Sequence, residues 1–230
     1  MDGDLVFLLD GSISVGDSHI NSSLDAISSA INNLGVGENL TRIGLVLFGG
    51  NTTTNRTIFN LNYDKVAMLE AISNVQHNPG IANTVNMLKY VCENLFTESK
   101  GGRTSVQDYL VVLTDGRSAN HEDVKIQSDI CSKDGIRIIG VPIGEAANDA
   151  LLKAISYFDP SYYVKTVYSD LGPTIAALIN SSVDCSSGKT CLNIEQILYN
   201  LYYKTCLSWN LLETRLFIRN RQVFGLFRLN

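Results

Sequence analysis

The chain has 230 residues, 45% apolar and 18% charged, which suits a domain with a buried core and excludes a disordered chain or a charged coiled-coil rod. Four prolines exclude a collagenous sequence, and a formal net charge of −5 gives no reason to expect a nucleic-acid partner. That charge is unevenly spread: residues 1–185 hold 12 basic and 21 acidic side chains, a net of −9, whereas residues 186–230 hold 6 and 2, a net of +4.

In chain order, Leu5 to Leu9 is a short continuous apolar run, the pattern of a strand buried on both faces, and it ends at Asp10-Gly11-Ser12. Ile20, Leu24, Ile27, Ile31 and Leu34 recur at steps of four and three, which predicts one face of a helix with Gly35 as its C-cap. Ile43 to Phe48 reads as a second buried strand. The polar stretch from Gly49 to Thr57 reads as a loop into a short edge strand near Ile58-Phe59. Asp64 is placed to N-cap a helix carrying Val66, Leu69 and Ile72, and Pro79-Gly80 then breaks the chain.

A helix is expected over residues 83–96, with Val85, Leu88, Val91, Cys92 and Leu95 on one face. Tyr109 to Thr114 is the clearest buried strand and ends at Asp115-Gly116. A helix over 122–132, a strand from Ile136 to Val141, a helix over 149–155, a short strand at Tyr162-Tyr163-Val164 and a helix over 171–179 complete the pattern. Alternating strands and helices predict a mostly parallel sheet covered on both faces, with its site outside the strand C-termini where strand order reverses. Asp10 and Asp115 both follow predicted strand ends, so the topology alone brings two carboxylates to one place.

No uncharged apolar run reaches the roughly 18–20 residues that span a bilayer. The N-terminal Met1-Asp2-Gly3-Asp4 is acidic, which does not fit a signal peptide; the expectation is either a cytosolic chain or an extracellular, secreted one whose leader is absent. The five cysteines (Cys92, Cys131, Cys185, Cys191 and Cys206) include no C-x-x-C pair, which argues against zinc and dithiol redox sites. Cys92 and Cys131 fall on the two helices that flank the central strand, and right-handed crossovers put both on one face; a disulfide and a pair of buried thiols are both open. Five N-x-S/T sequons, at Asn21, Asn39, Asn51, Asn55 and Asn180, favour glycosylation and secretion modestly.

Asp10, Ser12 and Ser14, with Asp115, form a set of hard oxygen donors suited to Mg²⁺, Mn²⁺ or Ca²⁺. A helix cap would also use Asp10 and Ser12, but a second carboxylate at the switch point favours a metal. An Asp-x-Asp phosphatase loop is not met, because Ser12 stands at the second position, and no Gly-x-Ser-x-Gly elbow occurs. His19, His77 and His121 lack partner spacing and are expected as solvated loop or cap residues.

Two segments, Leu8-Leu9-Asp10-Gly11-Ser12-Ile13-Ser14 and Val112-Leu113-Thr114-Asp115-Gly116, resemble the signatures of the von Willebrand factor A-type domain. Residues 42–48 and 135–141 are similar to that family's other core strands. The resemblance implies an α/β, Rossmann-like, doubly wound and mostly parallel six-stranded sheet over 4–184, with helices on both faces and one short antiparallel edge strand. It also implies a metal-ion-dependent adhesion site (MIDAS) holding Mg²⁺, Mn²⁺ or Ca²⁺ on Asp10, Ser12, Ser14 and Asp115. Gly11, Ile13, Ala82, Asn83, Thr84 and Gly116 form the ligand-binding face in that reading. The implied function is non-enzymatic: binding the acidic side chain of a protein ligand, a matrix protein such as collagen among them, in adhesion or matrix assembly.

One position departs from the pattern. Where the family has a ligating Thr, Gly80-Ile81-Ala82-Asn83-Thr84 carries Ala82, which has no oxygen to offer. The site is therefore read as degenerate, with a self-associating structural domain whose metal site has lapsed as the alternative and a metal-dependent hydrolase as a third class. Residues 185–230 lie outside the resemblance. They are expected to be a poorly ordered or loosely helical basic tail, against the rival reading of an amphipathic segment for a membrane surface or partner.

Overall fold

The computed structural model describes residues 3–49, 56–81, 83–117, 120–144, 147–156 and 168–181. All of these fall within Met1–Lys189, the first of the two units into which the chain divides. The expected strand at 162–164 and the basic tail lie outside the described residues.

Five strands form the described sheet: β1 (Gly3–Asp10), β2 (Thr41–Phe48), β3 (Arg56–Asn62), β4 (Gln107–Thr114) and β5 (Ile136–Pro142). Their order is β3-β2-β1-β4-β5. β1 pairs in parallel with β2 and with β4, β4 pairs in parallel with β5, and β3 is antiparallel to β2 at the edge. The sheet is thus mixed and mostly parallel as the sequence predicts, with five described strands where six are expected. β3 is longer than the edge strand read near Ile58-Phe59, starting at Arg56.

Every residue of β1 is buried, which is why Leu5 to Leu9 is a continuous apolar run and does not alternate. Val6 and Leu8 join Val46, Phe48, Leu110 and Val112 on one face, where helices α3 (Thr84–Asn94), α4 (His121–Lys133) and α5 (Asp149–Ile155) cover them. Leu5, Phe7 and Leu9 alternate to the other face, the side of α1 (Asp17–Asn33). α6 (Tyr168–Ser181) packs on α1, and a Cβ at Gly172 would lie 2.7 Å from the Ala30 nitrogen, so only glycine permits that approach.

The predicted helical face of α1 is observed, with Ile20, Leu24, Ile27, Ile31 and Leu34 all buried. Gly35 does not act as a left-handed cap. Leu34 closes the helix in extended conformation, its N–H donating to the Ala30 carbonyl, and this turns its own side chain into the core. Asp64 caps α2 (Lys65–Ser73) by accepting from the Ala67 N–H. The buried face of α2 is Met68 and Ile72, not Val66, which is 76% exposed. A short helix packed through one i, i+4 pair leaves the next apolar residue outside. Cys92 of α3 and Cys131 of α4 form a disulfide, with their Cα atoms 5.7 Å apart, and this closes the choice that the spacing left open.

Candidate metal and ligand site

The chain runs β1 to β2 to β3 toward one edge and then β4 to β5 toward the other, so strand order reverses between β1 and β4. Asp10 is the last residue of β1 and Asp115 the first after β4. Both are buried, at 0% and 4% exposure.

Asp10 is held by neutral donors. Its Oδ1 accepts from the Ser12 N–H at 2.9 Å and its Oδ2 from the Thr114 hydroxyl at 2.6 Å. Thr114 Oγ1 in turn accepts from the Gly116 N–H at 3.0 Å, which ties the two strand ends together. Burial pushes the Asp10 carboxyl above its ordinary value; the Thr114 and Ser12 hydrogen bonds oppose this, and the Asp115 charge adds to it. Ser12 Oγ and Ser14 Oγ are 3.1 Å apart, Ser12 buried and Ser14 exposed.

Asp115 is less completely satisfied. Its Oδ1 accepts from the Arg117 N–H at 3.1 Å, while Oδ2 is buried with no hydrogen-bond partner and lies 3.8 Å from Arg117 Nε. Its carbonyl accepts from the Asn148 N–H at 2.7 Å, and the Asn148 side chain both caps α5 and meets His121 Nε2 at 3.1 Å. A buried carboxylate oxygen without a donor is costly. A hard cation would satisfy it, so the donor chemistry fits a divalent ion. Among the described residues no group of three or more His, Cys, Asp or Glu side chains converges.

The loop after β1 is closely packed. Gly11 N–H donates to the Phe48 carbonyl, and Ser12 pairs with Gly80, whose carbonyl accepts from the Ile13 N–H at 3.1 Å. Gly49, with φ +87°, approaches so near that a Cβ there would lie 2.8 Å from the Ser12 nitrogen. The Gly80 segment therefore lies beside the Asp10–Ser14 loop, as the family pattern implies; Ala82 itself is outside the described residues. Asn83 caps α3 by accepting from the Asn86 N–H. Of the predicted face, Ile13 is 68% exposed and Asn83 is exposed, whereas Gly11, Thr84 and Gly116 are buried.

Three residues near the site were not assigned to it by the sequence. Thr114 sits inside the quoted signature, and its hydroxyl is the link between Asp10 and the β4 end. Ile81, 91% exposed, adds a second large apolar side chain close to Ile13 in the paired segments. His77 corrects the expectation of a solvated ring: its side chain is 9% exposed, it pairs with Asp17, and its Nε2 lies 2.8 Å from the Gly11 carbonyl. Of the sequons, Asn21 and Asn39 are exposed; Asn51 and Asn55 lie outside the described residues, as does the Asn180 side chain.

A model of the von Willebrand factor type A domain matches residues 4–173. The chain belongs to this family. Its A domain is 30% identical over 170 residues to human von Willebrand factor A domain-containing protein 2, covering 73% of the chain and 22% of that protein. Human matrilin-1 is 31% identical over 167 residues, 71% of the chain and 32% of the relative. The collagen alpha-1(XII) chain of Notophthalmus viridescens is 27% identical over 186 residues, 81% of the chain and 20% of the relative. The chain thus spans about a fifth to a third of these relatives.

Two solved structures share the fold of this A domain. Proximal thread matrix protein 1 from the mussel byssus, solved with a zinc-occupied MIDAS motif, superposes with a TM-score of 0.66 at 24% identity, covering 79% of this chain and 48% of that one. The manganese-loaded TRAP protein of Plasmodium vivax gives 0.65 at 19% identity, covering 77% and 72%. No helix among the described residues is long and apolar enough to cross a membrane.

Proposed function

We propose that this A domain is a non-enzymatic binding module of adhesion or extracellular-matrix assembly, and that its upper face takes a divalent cation weakly. The observation that carries the reading is the Asp115 Oδ2 atom, buried without a hydrogen-bond partner, with a second buried carboxylate, Asp10, near enough to feel its charge. Asp10, Ser12, Ser14 and Asp115 would hold Mg²⁺, Mn²⁺ or Ca²⁺. Two carboxylates leave such an ion near neutral, so it supplies an electrophilic position for one further carboxylate, from a protein ligand. Matrilin-1 and the collagen XII chain are relatives, which supports a matrix protein, collagen included, as that ligand and the extracellular space as the setting. The mussel and Plasmodium proteins, solved with zinc and manganese, support a divalent metal.

The site is read as degenerate because Ala82 stands where the resemblance implies a ligating Thr. The proposed domain limits are 4–184, followed by the basic tail over 185–230.

Calorimetric titration of the chain with Mg²⁺ and Mn²⁺ tests the reading. Binding is expected with a Kd on the order of 0.1–1 mM, the range of extracellular calcium modules. Ala82→Thr should tighten it about tenfold, the worth of one good hydrogen bond or ligand. Absence of binding at several millimolar metal, together with binding by Ala82→Thr, would establish a lapsed site and the structural alternative.

A further inference from the structure

His77 lies in the segment after α2, where a polar ring normally faces water, yet its side chain is 9% exposed. Both ring nitrogens are engaged: Nδ1 with the carboxylate of Asp17, and Nε2 with the Gly11 carbonyl at 2.8 Å. The Gly11 carbonyl only accepts, so the Nε2–H of His77 is the donor in that contact. Asp17 is the first residue of α1, and its own side chain is 82% exposed. His77 therefore joins the start of α1 to the loop between Asp10 and Ser12.

The contact with Gly11 bears on the ligand set through the peptide plane. The Gly11 carbonyl and the Ser12 N–H belong to one trans peptide unit, so they point in opposite directions. His77 pulls on the carbonyl side, and the Ser12 N–H on the other side donates to Asp10 Oδ1 at 2.9 Å. Fixing one end of this rigid unit aims the other. Three residues beyond His77, Gly80 accepts from the Ile13 N–H, so the same segment holds the loop at two points.

We propose that His77 is a positioning residue for the metal loop: through the Gly11 carbonyl it sets the peptide plane that keeps Asp10 and Ser12 in their ligand arrangement. The proposal rests on the metal-site reading for its effect on affinity, and on the loop geometry alone for its effect on order.

Two substitutions separate the ring's contacts. In His77→Gln the amide nitrogen reaches the position of Nε2 and keeps a donor for Gly11. In His77→Asn it reaches the position of Nδ1 and keeps only the partner at Asp17. Amide hydrogen exchange is measured at Ser12 and Ile13 in metal-free protein, and Mn²⁺ affinity by titration, with circular dichroism to confirm folding. His77→Asn and His77→Ala should speed exchange at Ser12 about tenfold, the loss of one hydrogen bond. Both should weaken Mn²⁺ binding several-fold, while His77→Gln stays near the parent in both measurements. If the parent binds no Mn²⁺, the metal reading fails and the exchange order still decides the positioning role. Equal exchange at Ser12 in the Gln and Asn variants overturns the proposal, since a merely structural histidine would not distinguish them. If His77→Ala does not fold, the Gln and Asn pair decides alone.

Discussion

Strands β1 and β4 carry a pair of carboxylates at each end, and the two ends treat them differently. At the lower end Asp4 and Asp108 are paired across the strands, and an arginine is built in. Arg103 donates to Asp4 from Nε at 2.9 Å and from Nη2 at 2.7 Å, and its backbone N–H adds a third bond at 2.6 Å. Nη1 donates to the Glu38 carbonyl, and Nη2 also lies within reach of the carbonyls of Gly3 and Leu40. At the upper end Asp10 receives hydroxyls and an amide, and Arg117 stands 3.8 Å from Asp115 with half its side chain in water. One sheet thus supports two uses of buried charge. Below, the compensating cation is part of the chain and cannot leave. Above, Asp10 has neutral donors and Asp115 a half-exposed arginine, and in the proposed reading the negative charge takes a cation from solution.

The largest effect should come from removing the built-in cation. Arg103→Met leaves Asp4 fully buried without its ion pair, holding only the backbone N–H of residue 103, and should cost about 3–5 kcal/mol in denaturant unfolding. Any Mn²⁺-induced rise in stability should survive in the variant, because the upper end is untouched. A stable Arg103→Met chain would mean that Asp4 is held by something other than its ion pair.

Asp10→Asn probes the other end and should behave in the opposite way. Without metal the variant should be as stable as the parent or more so, because a desolvated carboxylate has become a neutral amide. With metal at ten times its Kd the parent gains about 1.4 kcal/mol and the variant nothing. Thermal unfolding with and without Mn²⁺ reads both halves. A loss of metal-free stability comparable to that of Arg103→Met would erase the distinction between the ends.

This contrast was only half legible in the sequence. The buried strands announced themselves as apolar runs, and Asp10 and Asp115 followed from where those runs stop. Asp4 and Asp108 gave no such signal. Each lies near the start of a strand, and the residue that compensates Asp4 is Arg103, far from it in sequence and in a stretch that carries no motif. His77 failed for the same reason. Its burial is imposed by the packing of the loop before Gly80 against the loop after Asp10, a long-range contact that periodicity does not encode. Two local readings differ from the structure: Leu34, read as part of the buried face, also closes α1 in place of Gly35, and packing buries Met68 of α2 and leaves Val66 outside.

A smaller effect separates the two carboxylates of the lower end. Burial, and then the charge of Asp4, push the Asp108 carboxyl up to about 7, against a partial pull downward by Arg103. Folding therefore takes up a proton between the ordinary carboxylate range and neutrality. The stability from this group is full below pH 3.8 and is lost as pH rises through about 7. Asp108→Asn should flatten that slope and exceed the parent by about 1 kcal/mol at pH 8, a figure reduced for solvent screening of a partly exposed group. Parallel slopes for the two proteins between pH 4 and 8 would remove Asp108 from the account.

The smallest expected effect tests whether the upper end is open to solution cations at all. Arg117 is the side-chain cation that stands beside Asp115, and its Nε lies beyond hydrogen-bond distance of Oδ2. With half its side chain exposed it contributes at most about 1 kcal/mol, in the manner of a surface ion pair. If it competes with a divalent ion for the Asp115 carboxylate, Arg117→Gln should tighten Mn²⁺ two- to threefold, a change of about 0.5 kcal/mol. The tightening should fade at high salt, because an exposed guanidinium is already screened there. Weaker binding in Arg117→Gln would reverse the sign. Arg117 would then orient Asp115 for the metal, and the upper end would share more of the lower end's design than its distances suggest.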